Sequence, residues 1–333
     1  MPKLINRRSF CHAAAFVAAS ALSAHLATVP AFADDYPDRP VRIVVPFAPS
    51  GGGDIIVRLV AAQLQARLGQ PVIVENSDGA GGAVGSAVVA ESAPDGYTLL
   101  MANVAPMAIS VTIDPQLPYN PRTDFAPVSL LATFPNVLVV QPSLGVNTVQ
   151  ELVEKAKATP GELTFASAGN GSTTHLSGEF LKLKAGIDLT HVPYRGGGPA
   201  LTAVIGGEVS MYFSSLPAAK PHIEQGTLKA LGLTSLERSK AAPDIPALAE
   251  TFEGFEAVTW IGLVAPAGTP EAITERLAKE IGEIMKDEAI ASKVRELGAE
   301  PVTDTPAEFK DYISSEINKW GDIVKAAKLE IAQ

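Results

Sequence analysis

Cysteine and histidine are scarce in this chain. The one cysteine is Cys11, and beyond residue 33 the histidines are His175, His191 and His222. A single cysteine excludes a disulfide within the chain, and its place near the N-terminus offers no thiolate to a later active site. The three histidines lack the HExxH spacing of a zinc site, so we expect no metal site and no other cofactor.

Excess positive charge and long apolar runs are also missing. The chain has 26 basic and 36 acidic side chains, a formal net charge of −10. Such a protein repels phosphate backbones, so nucleic acid is not an expected partner. No stretch reaches the ~18 consecutive apolar residues that a membrane-spanning helix requires. A length of 333 residues allows a large hydrophobic core and favours about two domains.

The first 33 residues have the pattern of an export signal. Lys3, Arg7 and Arg8 precede an uncharged, alanine-rich run, and residues 31–33 (AFA) fit a small-x-small cleavage site. We therefore expect an exported mature chain that starts at Asp34 and carries a net charge of −13. The Arg-Arg-Ser-Phe run at 7–10 is typical of the twin-arginine route, although Asn6 stands where Ser or Thr is commoner.

Beyond the leader, short apolar runs alternate with helical segments, which is typical of parallel βα units and predicts an α/β fold. The expected strands are 41–47, 72–75, 97–102, 136–141, 163–167, 189–194, 208–213, 228–233 and 259–265. The expected helices are 54–68, one opened by 79–85, 149–158, and others starting near 175, 199, 270 and 306.

Three strand ends carry glycine-rich loops that each precede a helix. They are residues 50–53 (SGGG), 169–173 (GNGST) and 195–198 (RGGG). Ligands of open parallel sheets bind beyond the carboxyl ends of the strands, and glycine lets backbone N–H groups approach a guest. The loops therefore predict one cleft that binds an anion, such as a carboxylate, through N–H groups and hydroxyls.

Several residues near these loops allow a plainer interpretation. Asp54 fits the first turn of a helix, four residues before Arg58, better than a catalytic acid. Ser172 and His175 fit a helix cap better than a nucleophile and its base, and no Gly-x-Ser-x-Gly elbow is present. Arg195 suits an anion clamp and a surface ion pair equally well. The dinucleotide fingerprint fails, because Ile56 stands where its third glycine is needed.

An ordered set of motifs resembles one known family. The motifs are 46–54 (PFAPSGGGD), 75–76 (EN) with 79–82 (GAGG), 95–97 (DGY), 167–175 (SAGNGSTTH), 192–196 (VPYRG) and 263–270 (LVAPAGTP). They resemble the extracytoplasmic receptors of tripartite tricarboxylate transporters, the Bug family. The resemblance covers essentially the whole mature chain.

This resemblance implies a type II periplasmic binding protein, with two doubly wound α/β lobes joined by two crossing strands. The implied N-terminal lobe is discontinuous, 34–138 plus 261–333, and residues 139–260 form the inserted C-terminal lobe, with hinges at 136–141 and 259–265. The expected ligand-binding residues are Phe47, Ala48, Ser50, Gly51, Asn103, Ser167, Ala168, Gly171, Ser172, Thr173, Arg195, Gly196, Gly197 and Ser214.

The implied function is a monomeric receptor, without catalytic residues, that presents a small organic carboxylate to membrane transporter subunits. Many relatives carry an aspartate where this chain has Ser214, and that aspartate can face a ligand amine. Its absence favours an unaminated mono- or dicarboxylate, with aromatic acids among the candidates. The alternatives are an exported enzyme such as a hydrolase, and a soluble sensory receptor for a membrane kinase.

Overall fold

The structure is a computed structural model, and it describes residues 36–327. The expected export signal, residues 1–33, lies outside the described residues. Among residues 36–327, no helix combines the length and the apolar character that a membrane crossing requires.

Strands and helices alternate along the described chain. The strands are β1 (Val41–Val45), β2 (Val72–Asn76), β3 (Thr98–Asn103), β4 (Phe125–Val140), β5 (Thr164–Ser167), β6 (Thr190–Pro193), β7 (Met211–Ser215), β8 (Lys229–Leu233), β9 (Val258–Pro266) and β10 (Glu300–Pro301). The helices are α1 (Gly52–Leu68), α2 (Ala83–Ala90), α3 (Ser110–Ile113), α4 (Val149–Ala158), α5 (Thr173–Ala185), α6 (Gly197–Gly206), α7 (Leu216–Glu224), α8 (Glu271–Lys286), α9 (Glu288–Glu296) and α10 (Pro306–Ala327).

The strands form two sheet regions that share β4. In the first region, β1 pairs in parallel with β2 and β3, and β9 runs antiparallel between β3 and β4. In the second region, β5 pairs in parallel with β6 and β7, and β4 runs antiparallel to β7 and β8. We call each region with its packed helices a lobe: α1–α3 and α8–α10 belong to the first lobe, and α4–α7 to the second.

The strand β4 connects the lobes and is longer than the sequence indicates. It pairs with β9 from Phe125 as far as Pro135, and from Asn136 onward it pairs with β7. Pro127 and Pro135 lie within it, and proline normally argues against a central strand. A register shift follows Pro127, and Pro135 lies where the pairing passes from β9 to β7. The expected strand 136–141 therefore corresponds only to the C-terminal end of β4, residues 136–140.

Several helices begin where the sequence predicts. Thr148 caps α4 by accepting a hydrogen bond from the backbone N–H of Glu151 (3.1 Å). At the start of α10, Thr305 and Glu308 form a reciprocal capping box. Such caps satisfy first-turn N–H groups that have no acceptor within the helix.

Each lobe has its own hydrophobic core. The first-lobe core includes Trp260, Phe309 and Trp320, and both indole N–H groups donate to one carboxylate oxygen of the buried Glu316 (3.0 and 3.2 Å). The second sheet is covered on both faces, by one cluster around Phe165 and Phe213 and by another that includes aliphatic residues of α6 and α7. Two separately packed lobes leave a cleft between them at the strand ends.

Candidate functional site

A cavity of about 70 Å³ lies between the lobes at the carboxyl ends of the strands. A cavity of this volume has room for about five water molecules, so it can hold a small ligand. It is lined by Val45, Phe47, Ala48, Gly51, Gly52, Gly53, Asp54, Met101, Asn103, Phe134, Asn136, Ala168, Ser172, Thr173, Thr174, Gly197, Tyr212, Ser215 and Thr259.

The N-termini of three helices form part of the wall of this cavity. Gly52 begins α1, Thr173 begins α5 and Gly197 begins α6, and all three residues line the cavity. First-turn N–H groups have no acceptor within their own helix, and the helix dipole adds partial positive charge there. Among the described residues of the lining, none is lysine, arginine or histidine. The helix N-termini therefore favour an anion at this wall without a basic side chain.

Asp54 is the one acidic side chain in the lining, and its carboxylate is fully engaged. It accepts hydrogen bonds from the Arg58 guanidinium (3.1 Å), the Asn76 amide (3.0 Å) and the backbone N–H of Ser50 (3.0 Å). Burial alone would raise the pKa of Asp54, but these hydrogen bonds outweigh burial and lower it. Asp54 is therefore ionised at neutral pH and holds the 46–54 loop.

Polar side chains complete the wall on the side of the crossing strands. The hydroxyls of Thr173 and Thr259 lie 2.9 Å apart, which joins α5 to β9 across the cleft. Asn103 accepts a hydrogen bond from the backbone N–H of Ala105 and donates to the carbonyl of Trp260. These groups retain hydrogen-bonding capacity, since a hydroxyl and an amide each make several bonds.

Part of the expected ligand-binding set lies in the lining. Those residues are Phe47, Ala48, Gly51, Asn103, Ala168, Ser172, Thr173 and Gly197. The Ser172 hydroxyl is already engaged, because it caps α5 at the N–H of His175 (3.2 Å) and donates to the carbonyl of Gly169 (2.6 Å). Ser172 therefore shapes the wall and orients the α5 N-terminus.

Ser167 and Gly171 do not line the cavity, and each makes a hydrogen bond with a histidine. The Ser167 hydroxyl lies 2.6 Å from Nε2 of His191, and Nδ1 of His175 accepts the backbone N–H of Gly171 (3.2 Å). The two imidazole rings stack, with centroids 4.0 Å apart. Burial lowers the pKa of His175 to about 3 and that of His191 to about 4, so both rings are neutral at pH 7.

Ser215, rather than the expected Ser214, lines the cavity on β7. Successive side chains of a strand point to opposite faces, and Ser214 turns away to donate to the Ser215 carbonyl. The Ser215 hydroxyl accepts the N–H of Gly52 at the start of α1 (3.2 Å), so it connects the lobes.

Ser50, Arg195 and Gly196 lie outside the cavity lining. Ser50 adopts a positive φ of 69° and borders a separate surface pocket beside Gly198. Arg195 is exposed and borders an outer cavity of about 240 Å³ whose wall also includes the 79–82 loop. The Arg195 carbonyl accepts the N–H of Ala48 (3.1 Å), so the backbone here connects the two lobes.

Several wall residues are not among those expected from the sequence. Val45, Met101, Phe134 and Tyr212 form an apolar side of the cavity, and Asn136 and Thr259 belong to the crossing strands. Their positions near strand ends were a usable signal for β1, β3 and β7. Phe134 has no such signal, because Pro127 and Pro135 conceal this part of β4, whereas Asn136 lies at the start of an expected strand and hinge.

Comparisons with known proteins agree with this architecture. Residues 56–329 match the family described as "Tripartite tricarboxylate transporter family receptor". The chain is 38% identical to protein BugT of Bordetella pertussis (strain Tohama I) over 319 residues, which covers 95% of this chain and 96% of BugT.

Solved structures show the same fold. R. palustris Rpa4515 with adipate superposes with a TM-score of 0.86 at 34% identity, covering 88% of this chain and 99% of that one. MatC (Rpa3494) from Rhodopseudomonas palustris with bound malate gives a TM-score of 0.82 at 33% identity, covering 87% and 100%. The chain has the two-lobed α/β fold of type II periplasmic binding proteins and belongs to the Bug family of tripartite tricarboxylate transporter receptors.

Proposed function

We propose that this protein is a periplasmic receptor that binds a small, unaminated organic carboxylate in the cavity between its lobes. The observation that carries the proposal is the convergence of the N-termini of α1, α5 and α6 on a cavity without a basic side chain. Each helix N-terminus favours an anion by ~0.3–1 kcal/mol, and by up to ~2 kcal/mol where it is partly buried. Two relatives have structures with adipate and malate.

The wall offers helix N-termini to a carboxylate and an apolar side to a carbon chain, but no free carboxylate to an ammonium group. Met101, Phe134 and the ring of Tyr212 suit methylene or ring carbons. An ammonium group is best matched by a free carboxylate, and the carboxylate of Asp54 is occupied by Arg58, Asn76 and Ser50. This argument favours malate-like, adipate-like or aromatic acids over aspartate and glutamate.

A binding role fits the geometry better than hydrolysis. Ser167 and His191 lie at the distance of a serine–histidine pair, but Ser167 has 0% exposure and does not line the cavity. A nucleophile must reach its substrate, so this pair is better explained as support for the loop. We therefore infer that the protein itself carries out no chemistry.

We further propose that the protein is a monomer and that it is exported with its leader, residues 1–33, removed. It then delivers its ligand to membrane transporter subunits. Delivery to a sensor kinase would use the same cavity. The strand pairings support lobe boundaries near Asn136 and Val258, close to the expected 138/139 and 260/261. Mass spectrometry of the exported protein tests the leader, and an N-terminus other than Asp34 contradicts the cleavage site.

Thermal unfolding with a library of carboxylic acids tests the proposed ligand class. A ligand at 100 times its Kd stabilises the folded state by about 2.7 kcal/mol. We expect malate, adipate or a similar acid to raise the Tm, and the matching uncharged amide to leave it unchanged. The proposal fails if every acid leaves the Tm unchanged, or if amides and acids stabilise equally.

A further inference from the structure

Four glycines allow the lobes to approach at the mouth of the cleft. We call Gly81, Gly169, Gly196 and Gly198 the glycine seam. A Cβ atom added to Gly81 would lie 2.4 Å from the carbonyl oxygen of Asn170, and one added to Gly198 would lie 2.2 Å from that of Pro49. At Gly196 it would lie 2.8 Å from the N atom of Ala48. Each contact joins one lobe to the backbone of the other.

The obstacles at the seam are backbone atoms. A side chain can rotate away from an added methyl group, whereas the carbonyl of Pro49 belongs to a loop held by Asp54 and Asn76. A residue larger than glycine at position 81, 196 or 198 therefore has to keep the lobes apart. The hydrogen bond from Ala48 N–H to Arg195 C=O (3.1 Å) lies beside Gly196, so it forms only when the seam is in contact.

We propose that Gly198 is a closure-determining residue, whose missing side chain lets the lobes close on the ligand. This inference rests on the proposed receptor function and identifies the residue that determines how far the lobes can close. Gly198 does not line the ligand cavity, so its effect on affinity acts through closure. If closure is needed for binding, a tenfold smaller closed population raises the apparent Kd about tenfold.

Gly198→Ala tests this inference because the substitution should not destabilise the helix that contains it. Gly198 lies within α6 without a positive φ, and alanine is a better helix former than glycine. Gly81 and Gly196 are less suitable, because their φ values of 64° and 149° would strain alanine in any state. Gly206→Ala is the matched control: it lies in the same helix, where an added Cβ would meet only Glu208, at 4.0 Å.

Distances between spin labels on the two lobes report closure directly. Val84 on α2 and Leu183 on α5 are exposed and suit labelling as cysteines, with Cys11→Ser in the full chain. Pulsed dipolar spectroscopy is recorded without ligand and with adipate or malate. We expect a population with a short distance between the two labels in the reference chain and in Gly206→Ala. Gly198→Ala should lack this population. Its Tm should be unchanged or higher, which shows that the variant is folded.

The outcomes separate this inference from the proposed function. A Gly198→Ala chain that keeps the short-distance population overturns the inference, and so does a reference chain that never shows one. Titration calorimetry with adipate and malate is the second readout, with about tenfold weaker binding expected for Gly198→Ala alone. Absence of binding to the unsubstituted chain counts against the proposed ligand class, while the spin-label distances still decide the role of Gly198.

Discussion

The hydroxyl of Ser167 lies 2.6 Å from Nε2 of His191 and also accepts the backbone N–H of Gly169 (3.1 Å). Burial lowers the pKa of His191 to about 4, so its imidazole is neutral at pH 7. In His175, Nδ1 accepts the backbone N–H of Gly171, and only an unprotonated nitrogen can accept a hydrogen bond. The 167–172 loop, which forms part of the cavity wall, is therefore held by an uncharged histidine, and acid should weaken this loop.

The free energy of unfolding should fall as the pH drops below 6.5. In the unfolded chain both histidines take up protons near pH 6.5, whereas in the folded chain burial delays uptake until the pKa values of about 4 for His191 and about 3 for His175. The unfolded state then binds more protons, which lowers stability by up to about 1.4 kcal/mol per pH unit for each histidine. Urea unfolding between pH 7 and pH 4.5 measures this slope.

His191→Gln should remove one histidine's share of that slope. His222→Gln is the control, because His222 lies outside the stacked pair, beside Thr227. Burial raises the pKa of Asp304 to about 6, so this group makes the folded state more stable as the pH falls. Its contribution to the slope is the same in every variant and cancels when the slopes are compared. Equal slopes for His191→Gln and the unsubstituted protein would contradict the neutral-histidine account.

Asp54→Ala should lower stability by about 1.5–3 kcal/mol, the usual contribution of hydrogen bonds to a charged group. The variant leaves the Asn76 amide and the Ser50 N–H without their acceptor, so ligand affinity should fall as well. Glu75→Ala is the control, since Glu75 pairs with Arg42 at an exposed site and such pairs contribute about 0–1 kcal/mol. Denaturant unfolding and calorimetry measure both effects, and equal losses in the two variants would contradict the role of Asp54.

Ser215→Ala should weaken ligand binding about fivefold, because the start of α1 loses a hydrogen bond worth ~1 kcal/mol. Ser215 accepts the N–H of Gly52 from the opposite lobe and lines the cavity. Ser214→Ala is its control, because the adjacent side chain points away. A larger loss of affinity for Ser214→Ala than for Ser215→Ala would contradict this assignment.

Malate should bind more tightly than aspartate, because the two differ in a hydroxyl and an ammonium group and the cavity offers no free carboxylate to the latter. Competition calorimetry measures the ratio of the two Kd values. Tighter binding of aspartate would show that the amine finds an acceptor, and would overturn the conclusion drawn from the saturated Asp54.

The glycine loops and the βα rhythm are visible in the sequence because they depend on local chemistry. Strand ends, caps and glycines predict where loops lie, and the 46–54 loop and the start of α10 are examples. The helix α7 is hidden, because Pro217 and Pro221 lie within it and proline disfavours helix interiors. The strand β4 is hidden for a similar reason: Pro127 lies at a register shift, and Pro135 lies where the pairing passes from β9 to β7.

The direction of individual side chains depends on tertiary contacts that no local pattern encodes. A one-residue difference in strand phase separates Ser214 from Ser215 and moves the hydroxyl to the other face. Ser167 looks like a ligand donor in its loop, yet it turns towards His191, which lies 24 residues later in the chain. The seam glycines likewise show their second role only when the other lobe lies against them.

A crystal structure of the protein with adipate or malate tests the central claim most directly. We predict carboxylate oxygens within hydrogen-bonding distance, about 2.7–3.2 Å, of first-turn N–H groups of α1, α5 or α6. No lysine or arginine should lie within 4 Å of them. A ligand carboxylate paired with Arg195 in the outer cavity, or bound outside the cleft, would contradict the account.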